Sequence, residues 1–125
     1  MDDLIIKATP ETPAVTLVPS KGIFEISGFS LPENVISFYK PIVDWLEEYF
    51  KSPNNETVVT FKIKYFNTAS SKMLTRIFLR LEEMNTSGKP VKVNWYYNEE
   101  DEEMMEAGEE FKEIINLPIE IIEEE

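Results

Sequence analysis

The stretch TVVTFKIKYFNTASSK, residues 57–72, decides the fold of this chain. Its first part alternates apolar and polar side chains, as a β-strand does when one face of its sheet is buried. The apolar positions of this strand are Val59, Phe61, Ile63 and Tyr65. Small polar residues follow, and apolar side chains then recur at three- and four-residue spacing. That spacing predicts an amphipathic helix from about Ser71 to Asn85, directly after the strand.

The residues before this stretch predict a β-hairpin and another helix. Residues 14–18 and 23–27 have strand patterns, and the turn-forming residues PSKG join them at 19–22. A second amphipathic pattern covers residues 35–49. Pro41 lies inside it and lacks the backbone donor that a helix interior uses. We therefore expect a kink there, or a short helical turn followed by a separate helix.

The residues after this stretch predict one more strand and one more helix. Residues 91–97 alternate as a strand, and the acidic stretch 98–103 leads into a third amphipathic pattern. Residues 119–122 supply an optional edge strand. We expect residues 1–12 to form a loose N-terminal arm and residues 123–125 to form a solvated acidic tail.

This order of elements predicts a single α/β domain over residues 1–125. Strands separated by helices pair in parallel through right-handed crossovers. The sheet should therefore be mixed and mostly parallel, with the hairpin at one side and about three main helices packed on it. A chain of 125 residues suits one hydrophobic core, and no linker divides it.

The composition excludes several kinds of chemistry. The chain has no Cys and no His, which removes disulfides, thiolate nucleophiles, Ser-His-Asp catalysis and the usual zinc sites. Its 4 Gly form no phosphate-binding loop motif. A carboxylate-only magnesium or calcium site stays open, although no EF-hand spacing supports it. We predict no catalytic residue, no metal site and no cofactor.

The charge and hydropathy limit the partners. A formal net charge of −12, from 24 acidic and 12 basic side chains, repels phosphate backbones and anionic lipid. We therefore expect no nucleic acid and no membrane partner. Solubility is a sufficient explanation of this negative charge. If the charge also has a functional role, it favours partners with basic or mixed surfaces. The acidic start Met1-Asp2-Asp3 does not resemble a signal peptide, so we expect a cytoplasmic protein.

The junction between the central strand and its helix holds the best candidate site. Thr68, Ser70 and Ser71 place hydroxyls near the free amides of a helix start, and Lys72 adds a positive charge. A phosphate there would gain amide hydrogen bonds and a favourable helix dipole. Ser and Thr are also ordinary N-cap residues, and the residues alone favour capping over phosphorylation.

A resemblance changes that balance. The string Tyr65-Phe66-Asn67-Thr68-Ala69-Ser70-Ser71 resembles the phosphorylation loop of the SiaC family of regulatory phosphoproteins. Further matches follow in order over residues 12–122, and they are PEN at 32–34, DWLE at 44–47, LEE at 81–83, GKPV at 88–91, VNWYY at 93–97 and EEFKE at 109–113. Two departures are Ala69, where a Ser is expected, and Asn98, where an Asp is expected.

The resemblance implies a fold similar to STAS domains, the fold of anti-sigma factor antagonists. It implies that Thr68 is phosphorylated by a partner kinase and dephosphorylated by a PP2C-type phosphatase. The unphosphorylated form is then expected to bind and activate a diguanylate cyclase, which controls cyclic di-GMP and biofilm behaviour. The protein itself would catalyse nothing and would be a monomer or a weak dimer.

The predicted site follows from both arguments. Thr68 is the phosphorylation site, with Ser70 and Ser71 as secondary acceptors. The remaining predicted residues are the phosphate environment of Asn67, Ala69, Ser70, Ser71 and Lys72, and the partner-binding residues Tyr65, Phe66, Asn67, Thr68 and Tyr96. Trp45 and Trp95 are expected to pack in the core. Two other functions stay open: an anti-sigma factor antagonist, and a carboxylate-dependent metal binder or enzyme that uses the acids at 98–103.

Overall fold

The computed structural model describes residues 1–124, so Glu125 of the predicted acidic tail lies outside the described part. Three α-helices pack on one six-stranded sheet. The strands are β1 Leu4–Ile6, β2 Ala14–Val18, β3 Ile23–Ser30, β4 Thr57–Phe66, β5 Val91–Asn98 and β6 Ile119–Glu124. The helices are α1 Val35–Tyr49, α2 Thr68–Thr86 and α3 Glu102–Ile114, and a short 3-10 helix, Pro19–Lys21, joins β2 to β3.

The sheet has the strand order β1-β2-β3-β4-β5-β6. β1, β2 and β3 pair antiparallel, and β3, β4, β5 and β6 pair in parallel. Each parallel connection crosses in the same direction along the sheet, so right-handed crossovers place all three helices on one face. That arrangement leaves the opposite sheet face, which we call the open face, without a helix. The predicted α/β fold with its hairpin and three helices is confirmed.

The core lies between the sheet and the helices, with Trp95 of β5 at its centre. Its indole is fully buried, and its Nε1 donates a hydrogen bond to the carbonyl of Met104 at 3.0 Å. Four phenylalanine rings surround it, with centroids 5.7 Å (Phe61), 6.3 Å (Phe66), 6.2 Å (Phe78) and 5.5 Å (Phe111) from the indole. This agrees with the core position predicted for Trp95.

Two predicted boundaries are wrong. Leu4–Ile6, expected within a loose arm, pairs with β2 as an edge strand. β6 continues through Glu123 and Glu124, which pair with Tyr97 and Asn98 instead of forming a free tail. Ladder hydrogen bonds with a neighbouring strand explain both differences, because an edge strand satisfies its backbone groups through a partner that local sequence does not reveal.

Of the two outcomes predicted at Pro41, a kink or a split into two helices, the split is wrong, because α1 runs through Pro41 as one helix. Tyr39 and Ile42 flank the proline and are fully buried against the sheet. We attribute the continuity of α1 to this burial, which offsets the one backbone hydrogen bond that Pro41 cannot donate.

Candidate functional site

A register shift shapes the end of β4. Gly28 pairs with Ile63 but Phe29 pairs with Tyr65, so Lys64 has no partner opposite it on β3. The extra residue reverses the alternation of faces, as a β-bulge does. The simple alternation predicted through Tyr65 is therefore wrong beyond Ile63. Tyr65 turns to the open face and is 50% exposed.

The same reversal turns Phe66 inward. Its ring lies 6.3 Å from that of Trp95 and 6.4 Å from that of Phe111, measured between centroids. Phe66 was predicted to bind a partner, but these contacts make it part of the core. Its packing holds the start of α2 against the sheet.

Asn67, not a Ser or Thr, caps α2. Its backbone is extended, and its side-chain oxygen accepts a hydrogen bond from the amide of Ser70 at 2.8 Å. Thr68 is the first residue of the helix, which therefore begins three residues earlier than predicted, and both Thr68 and Ala69 are exposed. Because Asn67 performs the capping, the Thr68 hydroxyl is not required for it.

Ser70 is completely buried and belongs to a chain of hydroxyls under the junction. The Tyr39 hydroxyl lies 2.5 Å from Ser30 Oγ, which donates to Ser70 Oγ at 2.9 Å. Ser70 Oγ in turn donates to the carbonyl of Ser30 at 2.9 Å. A kinase cannot reach this hydroxyl in the folded protein, so the prediction of Ser70 as a secondary acceptor is wrong. Ser71 is half-buried.

This hydroxyl chain ties three elements together, because Ser30 ends β3, Tyr39 lies on α1 and Ser70 lies in the first turn of α2. Burial raises the pKa of the Tyr39 phenol above its ordinary value of 10.0, against the opposing effect of its hydrogen bonds with Ser30 and Ser70. The phenol therefore stays protonated in the folded protein at pH values where the unfolded chain begins to lose this proton.

We predict that Tyr39→Phe lowers the free energy of unfolding at neutral pH by about 1 kcal/mol, the net value of one buried hydrogen bond. In the wild type, the contribution of Tyr39 is fully present below pH 10.0 and decreases as the pH rises toward the raised pKa of the folded state. The variant should lack this decrease. Urea denaturation from neutral pH to above pH 10 measures both effects. Tyr65→Phe, which removes an exposed hydroxyl, is the control and should change stability by less than about 0.5 kcal/mol. An equal loss in both variants would contradict the role of the buried chain.

The remaining predicted residues lie at different distances from Thr68. Lys72 is exposed and one helical turn further along α2. Tyr96 is half-buried beside Lys62, whose ammonium lies 5.1 Å from the centroid of its ring. Strand geometry places Lys62 and Tyr96 roughly 13 Å before the end of β4, so Tyr96 is not next to Thr68.

The sequence prediction missed Phe29. This side chain is 44% exposed and pairs with Tyr65 across the register shift, so two exposed aromatic rings adjoin the junction. Phe29 faces outward because β3 alternates normally, and it was missed because the strand was predicted to end at residue 27.

The acids at 98–103 have a structural role at the start of α3. Asp101 is the N-cap and accepts a hydrogen bond from the amide of Met104 at 3.0 Å, and Glu102 and Glu103 occupy the first turn. Negative charges there complement the helix dipole. Within residues 1–124, no group of three or more Asp and Glu side chains is arranged to hold a metal ion.

Trp45 is only half-buried. Its ring stacks on Tyr49 with centroids 5.3 Å apart, and its Nε1 donates to the carbonyl of Asp2 at 2.8 Å. The N-terminal segment thus covers this tryptophan.

None of the helices in the described part of the chain is long and apolar enough to cross a bilayer.

The fold and the exposed threonine at the start of α2 define a small single-domain α/β protein. The chain belongs to the SiaC family, since the profile described as "SiaC family regulatory phosphoprotein" matches residues 6–124.

Two kinds of relative support this assignment. An uncharacterised protein of Pseudomonas aeruginosa (strain UCBPP-PA14), PA14_02130, is 32% identical over 121 residues, which cover 97% of this chain and 96% of the relative. The structure of SiaC of Pseudomonas aeruginosa superposes with a TM-score of 0.90 at 31% identity, over 99% of this chain and 100% of that one. A crystal structure of the diguanylate cyclase SiaD in complex with its activator SiaC, from the same organism, matches with a TM-score of 0.92 at 31% identity. That match covers 98% of this chain and 100% of the other.

Proposed function

We propose that this protein is a non-catalytic activator of a diguanylate cyclase and that phosphorylation of Thr68 switches it off. The observation that carries the proposal is the exposed Thr68 side chain at the first position of α2, in a family of regulatory phosphoproteins. The structure of the related SiaC bound to the cyclase SiaD supports the choice of partner. A protein kinase and a PP2C-type phosphatase would set the phosphorylation state, and the protein would act in the cytoplasm.

The local structure can accept a phosphate without unfolding. The first amides of α2 have no partner inside the helix and point toward its N-terminus, where the helix dipole favours negative charge. The cap of Asn67 and the buried hydroxyls of Ser30 and Ser70 hold this end of the helix in place. Phosphorylation should therefore change the surface and leave the fold intact.

The change at the surface is large. Unmodified Thr68 is a small neutral side chain, and Tyr65 and Phe29 offer exposed aromatic surface on the strands that lead to it. Aromatic side chains of this kind are common anchors of protein interfaces. A phosphate adds about 1.5 to 2 negative charges and its own volume beside this surface, so it should prevent close docking.

Binding measurements with variants of Thr68 test the proposal. The partner to use is the cyclase encoded in the same genome. Thr68→Ala should bind and activate this cyclase as well as the wild type does, but it should accept no phosphate at this position. Thr68→Asp, and wild type phosphorylated at Thr68, should bind at least about tenfold more weakly because of charge and desolvation at the interface. Calorimetry measures the affinity, cyclic di-GMP production measures activation, and peptide mass spectrometry locates the phosphate.

Ser52→Asp is the matched control for Thr68→Asp. Ser52 is exposed just after the C-terminal end of α1, at the opposite end of the molecule from the helix N-termini. Ser52→Asp adds the same charge as Thr68→Asp but far from the proposed interface, so it should leave binding unchanged. Equal affinity of all variants and of the phosphorylated protein, with the fold intact, would show that Thr68 is not the switch. Capture of an anti-sigma factor in place of a cyclase would instead support the antagonist function.

A further inference from the structure

The charges of this acidic protein are unevenly distributed along the chain. The net charge is −12, yet residues 57–81 contain no Asp and no Glu. The same segment contains five basic residues, which are Lys62, Lys64, Lys72, Arg76 and Arg80. It forms β4 and most of α2, so Thr68 lies in the middle of a basic region on an otherwise acidic protein.

Part of this region forms a continuous exposed row on α2. Thr68, Lys72 and Arg76 follow one another at four-residue spacing and are all exposed. Residues at this spacing lie on the same side of a helix. Leu79, 43% exposed, continues the row by one further turn. We call Thr68, Lys72, Arg76 and Leu79 the α2 row.

The two cations of the row lack acidic partners within residues 1–124. Some other basic residues do have them, since Lys40 pairs with Asp44 and Arg80 pairs with Glu47 and Glu83. Elsewhere in residues 1–124, Lys7, Lys21, Lys64, Lys89 and Lys112 also form no ion pair, so the α2 row is distinguished by its position beside Thr68 in a segment without acids. With 24 acidic residues in the chain, the absence of any near Lys72 and Arg76 leaves these charges available to another molecule.

We propose that the α2 row is the docking site for a carboxylate-bearing segment of the cyclase, a proposal that rests on the function given above. Lys72 and Arg76 pair with the carboxylates, and Leu79 contacts an apolar side chain of the same segment. Charge complementarity selects this occupant, because residues 57–81 carry five basic side chains and no acid in a protein of net charge −12. The net charge alone favoured partners with basic or mixed surfaces, whereas the distribution of charge favours an acidic segment of the partner beside Thr68.

This arrangement also explains how one phosphate can control docking. A phosphate on Thr68 lies four residues before Lys72, and an acid that precedes a base by four residues forms the better-oriented helical pair. The phosphate therefore pairs with Lys72 within the same helix. One modification then neutralises a cation that the partner needs and repels the partner's carboxylates.

Charge reversal tests the docking site. Lys72→Glu/Arg76→Glu should bind the cyclase about 10- to 100-fold more weakly than wild type, since it replaces two attractive contacts with repulsive ones. Lys21→Glu/Lys112→Glu is the matched control, because both lysines are exposed and lie outside the α2 row. It changes the net charge equally and should alter the affinity by less than about threefold. Lys72→Arg/Arg76→Lys should bind like wild type, and thermal denaturation verifies that every variant is folded.

The outcomes separate the two proposals. Wild type that fails to bind the cyclase would overturn the proposed function and the docking site with it. If the wild type binds the cyclase but Lys72→Glu/Arg76→Glu and Lys21→Glu/Lys112→Glu bind it with equal affinity, the docking site alone is overturned. Affinity of wild type that does not decrease with added salt would also count against it, since exposed charge pairs are screened.

The pairing with Lys72 has its own readout, which does not need the cyclase. In protein phosphorylated at Thr68, a ³¹P NMR titration measures the second pKa of the phosphate, which is about 6 without a partner. Lys72→Gln should raise this pKa, because removal of the nearby cation disfavours the dianion. Arg76→Gln, two turns away, should raise it less. The same pKa in wild type and Lys72→Gln would overturn the pairing.

Discussion

Phe78→Ala is expected to lower the free energy of unfolding by about 3–5 kcal/mol, because it removes a buried ring and leaves a cavity. Phe78 lies on α2, is fully buried, and contacts three other rings. The centroid distances are 5.0 Å to Phe61, 4.7 Å to Phe111 and 6.2 Å to Trp95. The total free energy of unfolding of a small domain is about 5–15 kcal/mol, so this single variant should lose a large fraction of the stability of the protein. Urea denaturation followed by circular dichroism measures the loss.

Leu79→Ala is the control for this prediction. Leu79 is the next residue of the same helix but points outward and is 43% exposed. Truncating it should change stability by less than about 0.5 kcal/mol, as surface substitutions usually do. If the two variants lost similar stability, α2 would have to face the sheet differently. Leu79 would then also be unavailable to a partner.

Gly108→Ala is expected to destabilise the protein, although alanine normally favours a helix. Gly108 is buried on α3 over the central tryptophan. A methyl group at this position would lie 2.5 Å from Cδ1 and 2.8 Å from Nε1 of Trp95, and 2.9 Å from Cδ1 of Ile121. These distances are too short for carbon contacts, so either α3 or the indole must move. Such overpacking costs about 1–3 kcal/mol, more than the roughly 1 kcal/mol that alanine gains over glycine in a helix.

Two further variants check this explanation. Ala107→Gly, at the half-buried preceding position, measures the cost of a glycine in α3 without the steric conflict. Trp95→Phe makes room for the added methyl, so the double variant Trp95→Phe/Gly108→Ala should be more stable than the sum of the single losses predicts. Additive losses, or a Gly108→Ala variant more stable than wild type, would contradict close packing of α3 on Trp95.

Much of the fold could be predicted from the chain itself. The alternation from Val59 to Ile63 and the helical spacing that follows it specify a strand and a helix without reference to other elements. The hairpin, the parallel order and the three helices follow from such patterns. The errors occurred where a distant partner overrides a local signal, as in α1, which continues through Pro41 because its neighbours are buried.

The candidate site was only partly predictable. Thr68, Asn67 and Lys72 were identified from the junction and from the resemblance to the family, and the structure leaves Thr68 exposed. The role of Ser70 was not visible, because its partner Ser30, and Tyr39 beyond it in the hydroxyl chain, lie 40 and 31 residues away in the sequence. The exposure of Tyr65 was missed for a similar reason, since it depends on a register shift between two strands, whereas Phe29 lay beyond the predicted end of its strand.

By itself, the sequence determined the element types, the acidic surface, the absence of Cys and His chemistry, and the position of a hydroxyl cluster at the start of a helix. These are properties of neighbouring residues and of composition. Only the tertiary structure decided which hydroxyl faces solvent, which aromatic side chains reach the surface, and which cations lack acidic partners. Those properties depend on strand register and on packing between segments far apart in the chain, and no local pattern encodes them.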